Sequence, residues 1–194
     1  GFLYRFALFL LEKKHHIYNL HACALYESSR HRLLVIVGGA GSGKTVYLLS
    51  GLERGLSLFS TETVHFRHEG RSVRWFMGSL ADNVRIRTLR RHFPRFLPAA
   101  RGVPRDDDWS QKMAIDLSPY GYPEETIVDP SVVLLFPRIE EGFGRFVLRP
   151  LRDDREASQS LFANISEQLS QTPSLNARIP VPGFDRAELA EARR

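Results

Sequence analysis

The stretch Val35-Ile36-Val37-Gly38-Gly39-Ala40-Gly41-Ser42-Gly43-Lys44-Thr45 decides the fold: a β-branched apolar run enters a glycine-rich loop that ends in Lys-Thr. Gly38 to Thr45 satisfies the pattern G-x-x-x-x-G-K-[ST] in full. Glycines in such a loop let successive backbone N–H groups turn inward as an anion cradle. The helix that follows points its positive end at the same spot. Phosphate is the expected guest, so Gly38, Gly39, Ala40, Gly41, Ser42, Gly43, Lys44 and Thr45 are candidate nucleotide-binding residues. Lys44 is expected to reach the β- and γ-phosphates of ATP, and the Thr45 hydroxyl to join a Mg²⁺ shell. The context agrees. Leu33 to Val37 reads as a strand, and Thr45 to Arg54 reads as a helix closed by Gly55.

Working outward, Leu20 to Tyr26 and Arg32 to Val37 are two strand-like runs joined by the polar connection Glu27-Ser-Ser-Arg-His31, which makes a hairpin feeding the loop. A parallel nucleotide-binding sheet enters its loop from a crossover, so an antiparallel pair here predicts a mixed sheet. Beyond the loop helix, Leu56 to Ser60 is a short strand ending in Thr61-Glu62-Thr63, and Val64 to His68 with Ser72 to Phe76 forms a second hairpin. Asp82 to Phe96 interleaves Val84, Ile86, Leu89 and Phe93 with arginines and reads as a helix that stops before Pro94. Residues 98–110 carry Pro98, Gly102, Pro104 and Asp106-Asp107-Asp108, the composition of a mobile loop. Lys112 to Asp116 is a strand. Ser131 to Phe136 is the most strongly buried strand pattern of the second half, with Phe143 to Leu148 as its neighbour across a Glu140-Glu141 turn. Asp154 to Ser170 is a helix with Ala157, Leu161, Ile165 and Leu169 on one face. A short charged helix follows from Asp185, and Phe2 to Lys14 forms a packing helix at the start.

With 194 residues, 43% hydrophobic and 25% charged, the composition is that of a globular chain with a sizeable core. No internal repeat, low-complexity block or linker divides it, so a single domain over residues 1–194 is expected. The first residue is Gly rather than Met, as expected of a trimmed chain or one domain of a longer protein. The lone cysteine, Cys23, excludes an internal disulfide framework and fits a reducing, cytoplasmic setting; its apolar neighbours predict a buried thiol. Phe2 to Leu11 is too short to cross a bilayer, which takes about 20 apolar residues, and is interrupted by Arg5. The formal charge of +5 rests on arginine, with only four lysines. The cluster Arg85, Arg87, Arg90, Arg91, Arg95, Arg101 and Arg105 invites a nucleic-acid reading. It lacks a recognised reading module and is followed by an acidic run, so an anionic substrate or a neighbouring subunit is the preferred partner.

Phosphoryl transfer needs a cradle, a metal and a carboxylate that takes the acceptor's proton or holds the metal. The best core strand ends in Phe136-Pro137-Arg138, with no carboxylate. Glu62 stands instead at the end of the strand after the loop helix, and is the expected base or Mg²⁺-linked acid. Cationic help beyond Lys44 is expected from Arg138, at the abrupt end of a strand. His21 and His65 are candidate site histidines on the neighbouring strands. No His/Cys spacing fits a histidine-built metal site.

The order Leu20-His21, hairpin, Gly38 to Thr45, then Glu53-Arg54-Gly55 and Ser60-Thr61-Glu62 resembles the C-terminal catalytic domain of HPr kinase/phosphorylase over residues 20–62. The resemblance implies an α/β P-loop domain related in fold to phosphoenolpyruvate carboxykinase. It also implies an ATP- and Mg²⁺-dependent kinase acting on a hydroxyl, and a homo-oligomer. Carried over by position, His21 matches the family's active-site histidine, and Thr61 and Glu62 fall where the family has two aspartates. One of those acts as general base and, in reverse, as acid. Thr61 is a departure: the reverse phosphorolysis is not implied, and Glu62 must serve alone or with His65. No match to the loop that contacts the family's protein substrate is found, so the chain resembles a divergent member. The acceptor is a small molecule or a protein serine. A catalytically degenerate nucleotide-binding module is the alternative.

Overall fold

A computed structural model of the chain describes residues 2–39, 41–97, 111–139, 144, 146–151, 153–171, 174–175, 179–180 and 182–193. In chain order the elements are α1 (Phe2–His15), β1 (Tyr18–Leu20), β2 (Ala22–Glu27), β3 (Arg32–Val37), α2 (Lys44–Glu53), β4 (Ser57–Ser60), β5 (Val64–Glu69), β6 (Ser72–Phe76), β7 (Ala81–Arg85), α3 (Ile86–His92), β8 (Lys112–Asp116), β9 (Thr126–Val128), β10 (Ser131–Leu135), α4 (Asp154–Ser170), β11 (Ser174–Leu175), β12 (Ile179–Pro180) and α5 (Ala187–Ala192). The result is a mixed α/β architecture with several sheets and, among the described residues, five α-helices. None of these helices is long and apolar enough to cross a membrane.

The central sheet has the order β10-β3-β2-β4, with β10 parallel to β3 and the other pairs antiparallel. It is the mixed sheet expected from the hairpin ahead of the loop. Apart from the Glu27–Arg32 pair at one end, its two middle strands are apolar because both faces are covered. Alternation sends Cys23, Leu25 and Ile36 to one face, where they meet Leu48, Leu49 and Leu52 of α2 and Val84, Leu89 and Ile115 beyond it. Ala22, Ala24, Tyr26, Leu33, Val35 and Val37 face the other way. There they pack on a second, antiparallel sheet ordered β1-β5-β6-β9 and on Ile165 of α4. A smaller cluster of Leu8, Leu169 and Leu189 binds α1, α4 and α5 together. Cys23 is fully buried, as expected, and burial pushes its thiol up to about 12.

Strand directions in the central sheet gather four chain segments at one edge. β3 ends there in Gly38. β10, parallel to it, ends there in Phe136-Pro137-Arg138-Ile139. β2 runs the opposite way and so begins there, and since Ala22 pairs with Val37, His21 lies level with Gly38. β4, antiparallel to β2, ends there in Ser60-Thr61-Glu62. Ligands of open α/β sheets bind at such carboxyl ends.

Three expectations are corrected. Asp82 to Phe96 does not form one helix: Ala81–Arg85 is strand β7, paired with β8, Ile86–His92 is α-helical, and a separate 3-10 turn covers Pro94–Phe96. Asp82 and Val84 are buried and Asn83 is exposed, so strand alternation overrode the arginine spacing. Ser131–Leu135 is a strand but not a deeply buried one; among the described residues it pairs only with β3, at the sheet's margin, and Val132 is partly exposed. Of residues 143–148, positions 144 and 146–148 carry no strand, and Phe146 and Leu148 stand in solvent. Ala40, the 98–110 loop with Arg101, Arg105 and Asp106 to Asp108, and the Glu140-Glu141 turn lie outside the described residues.

Candidate functional site

The loop between β3 and α2 is shaped by backbone that only glycine adopts freely. Gly41 and Gly43 hold φ of +85° and +97°. A Cβ on Gly43 would also lie 2.3 Å from Ile139 Cδ1, because the chain leaving β10 folds across the start of α2. A side chain at Gly43 is therefore strained by conformation, and it would also have to push the Ile139 side chain aside. α2 starts at Lys44, and the first N–H groups of a helix have no intrahelical acceptor, so they and the helix dipole face the loop. Lys44 Nζ donates to the carbonyls of Gly38 and, at 3.0 Å, Gly39. The ammonium therefore caps the loop's own oxygens. Ser42 Oγ is buried and, among the described residues, has no hydrogen-bond partner.

Around Lys44 the fold assembles acidic and imidazole groups from four other elements. Thr45 Oγ1 donates to Asp82 Oδ2 at 3.3 Å. Asp82 is 8% exposed, and burial raises its pKa, with the charge of Glu62 pushing the same way. Burial lowers the pKa of Lys44, opposed by Cys23, Glu167, Asp82 and Glu62. The carboxylates of Glu167, Asp82 and Glu62 thus lie near enough to favour the charged ammonium.

His21 sits in the break between β1 and β2 and is held from α4 at two points. Asn164 brackets its backbone, accepting from His21 N at 2.7 Å and donating to His21 O at 3.1 Å. Glu167, one turn on, brings Oε2 to 3.4 Å from His21 Nδ1. Spacing of three along a helix puts both side chains on one face. Glu62 is exposed at the end of β4. Beside it, Tyr4 from α1 hydrogen bonds Thr63 Oγ1 at 2.6 Å, which makes α1 one wall of this flank.

Thr61 is buried and turned away from Lys44. Its Oγ1 donates to Ala81 O at 2.7 Å and to Ser79 O at 3.0 Å, while its N–H also meets Ser79 O, at 2.9 Å. It fastens the end of β4 to the segment that leads into Asp82.

The structure therefore brings together Lys44, Thr45, Gly38, Gly39, Glu62 and His21. Arg138 stands on the exposed turn out of β10, one residue before the side chain that packs on Gly43. His65 goes elsewhere: its Nδ1 meets Asn19 Oδ1 at 2.5 Å in the second sheet, and burial lowers its pKa. The carboxylate in contact with Thr45 is Asp82 rather than Glu62. Asp82, Asn164, Glu167 and Ile139 are the site residues that sequence reasoning did not select. For Asp82 there was a usable signal, an acid on the core-facing side of a short alternation. Asn164 and Glu167 reach His21 across more than a hundred residues, and no local pattern marks them.

Among the described residues no group of three or more His, Cys, Asp or Glu is placed to hold a metal ion by itself. Compared with known proteins, the chain matches no family model and no curated sequence.

Proposed function

We propose that this chain is an ATP-dependent phosphotransferase of P-loop architecture, a divergent relative of the HPr kinase/phosphorylase catalytic domain. It moves the γ-phosphoryl group to the hydroxyl of a small molecule or a protein serine. The observation that carries this reading is the contact between Thr45 Oγ1 and Asp82 Oδ2 directly behind Lys44. A hydroxyl and a carboxylate are hard oxygen donors that fit Mg²⁺, a cation usually bound through one or two carboxylates plus substrate phosphates. The buried Asp82, disfavoured as an anion by its surroundings, fits a site that a dication would complete. When bound, Mg²⁺ neutralises charge developing on the β- and γ-phosphates.

The chain's own residues supply the rest. The N–H groups of the loop and of α2's first turn hold the phosphates. Lys44 exchanges the Gly38 and Gly39 carbonyls for phosphate oxygens. Glu62, exposed at the strand end, takes the proton of the acceptor hydroxyl as its oxygen bonds to the γ-phosphorus and the bond to the departing ADP breaks. His21, steadied by Asn164 and Glu167, faces the same reacting flank. Thr61, with its hydroxyl spent on backbone carbonyls, leaves Glu62 the sole acid at the end of β4.

The test is a panel of alcohol acceptors, metabolites and serine peptides with Mg²⁺ and γ-labelled ATP, followed by mass spectrometry of the product. Lys44→Ala and Glu62→Gln are expected to abolish transfer with the fold intact by circular dichroism. Near-normal turnover in Glu62→Gln would remove Glu62 as the base. Tight MgATP binding with no transfer to any acceptor would instead identify a regulatory nucleotide-binding module.

A further inference from the structure

The loop has two unlike flanks, and their difference follows from the strand order β10-β3-β2-β4. On the side of β2 and β4 stand His21, Glu62 and, behind Thr45, Asp82, with Glu167 reaching in from α4. These are the acidic and proton-accepting groups, whereas the turn out of β10 carries the cationic Arg138. On the side of β10 the loop is met by an aliphatic side chain. Pro137 continues the β10 register to the level of Gly38, and two residues later Ile139 lies against Gly43 at the mouth of the loop. Ile139 nevertheless leaves 55% of its surface in solvent. Ile139 thus offers open apolar surface at the mouth of the loop itself.

Resting on the phosphotransferase reading, we infer that Ile139 is the platform for the nucleoside end of the bound nucleotide, and that the triphosphate runs from β10 across the loop toward Glu62 and His21. Every nucleobase has an apolar face that an aliphatic side chain covers well, and the gain comes from the apolar area that both partners lose to water. The opposite orientation would set the base among Glu62, His21 and Glu167 and carry the γ-phosphate away from the groups that serve transfer. The inferred polarity fixes where the acceptor enters: over β4, past Glu62 and the Tyr4–Thr63 contact, with the β10 side closed to it by the nucleoside.

Ile139 thus binds the nucleoside and not the phosphates, and a phosphate-only ligand separates the two. Affinities of the full chain for MgATP and for magnesium tripolyphosphate are measured by titration calorimetry, for the wild type, Ile139→Ala and Ile139→Phe. In Ile139→Ala the affinity for MgATP is expected to fall about tenfold, the effect of losing roughly half a side chain's worth of apolar contact. The affinity for tripolyphosphate should stay within about twofold of wild type, because the loop contacts are untouched. Ile139→Phe, which keeps an apolar surface, should hold MgATP at least as well as Ala does and leave tripolyphosphate unchanged. Equal weakening of both ligands in Ile139→Ala would make Ile139 a support for the loop through Gly43 and overturn the inference. So would unchanged binding of both. Failure of the wild-type chain to bind either ligand would overturn the phosphate reading of the loop itself, a result distinct from the other two.

Discussion

Thr61→Val keeps the shape of the side chain and deletes its hydroxyl, and the structure says how much that should cost. Thr61 is 4% exposed, and one hydroxyl hydrogen serves two carbonyls, Ala81 O at 2.7 Å and Ser79 O at 3.0 Å. Neither carbonyl is orphaned by the change. Ser79 O keeps the Thr61 N–H at 2.9 Å, and Ala81 O keeps Ser79 Oγ at 3.0 Å. The cost is therefore that of one net hydrogen bond, about 1 kcal/mol, without the larger penalty of a buried unpaired group. In a chain of this size that lowers Tm by about 2–4 °C. Activity should suffer out of proportion, because Ala81 immediately precedes Asp82, and slack there moves the carboxylate relative to Thr45. A displacement of roughly 1 Å in a positioning group costs up to about a hundredfold, so kcat is expected to drop about ten- to a hundredfold with KM for ATP little changed. Thr61→Ser, which restores the hydroxyl, should recover most of the rate. Thermal melts and steady-state kinetics on the three proteins decide the matter. If Thr61→Val loses the expected stability and still turns over at the wild-type rate, Asp82 is not positioned through Thr61 and the reasoning fails.

Two further perturbations address buried charge. Asp82→Asn keeps an acceptor for Thr45 and removes a carboxylate whose pKa is raised by burial and by Glu62. Such a group favours the fold fully below its unfolded pKa and loses that contribution as pH rises through the folded value, so the variant should melt higher than wild type at neutral pH, with the gap closing as pH falls through the raised folded value and closed below the ordinary value of 3.8. MgATP at about 100 times Kd should stabilise the wild type by about 2.7 kcal/mol, or roughly 5–10 °C, and protect Asp82→Asn much less; equal protection would show that Asp82 takes no part in binding. Arg193→Met removes a fully buried guanidinium that binds Glu12 Oε1 at 2.6 Å, Asp185 Oδ1 at 3.0 Å and Ser166 Oγ at 2.9 Å. Leaving Glu12 buried without its partner should cost about 3–5 kcal/mol, and adding Glu12→Gln should return part of it in a urea-denaturation series.

What the sequence disclosed and what it hid divide by the range of the interactions involved. Gly38 to Thr45, the hairpin of Ala22–Glu27 with Arg32–Val37, and α4 were legible because each announces itself within a dozen residues, by turn chemistry, alternation or a 3.6-residue stripe. β7 was not, because its strand character depends on β8, whose paired residues lie about thirty positions on, while the arginines after Arg85 supply a misleading helical spacing. The apolar run Ser131–Leu135 was read as a strand correctly and as deeply buried wrongly for a related reason. Apolar content reports on the two faces of a sheet and says nothing about whether a strand has one neighbour or two.

The same division explains the site. The residues that sequence reasoning chose at the sheet edge lie next to strand ends, where position along the chain maps directly onto position in the sheet. His21 opposite Gly38 is a consequence of register alone. Those it missed enter from elements laid over the sheet: Asp82 from the β7–β8 ribbon, Asn164 and Glu167 from α4. Thr61 links the two groups. Seen in sequence, it is a hydroxyl beside Glu62 at the end of a strand. In the fold its hydroxyl ties the end of β4 to the strand carrying Asp82, so that the second carboxylate of the site comes from a neighbouring ribbon rather than from the end of β4 itself. The hydroxyl at position 61 and the acid at position 82 are thereby linked, because the bonds from Thr61 Oγ1 to Ser79 O and Ala81 O anchor the residue that immediately precedes Asp82.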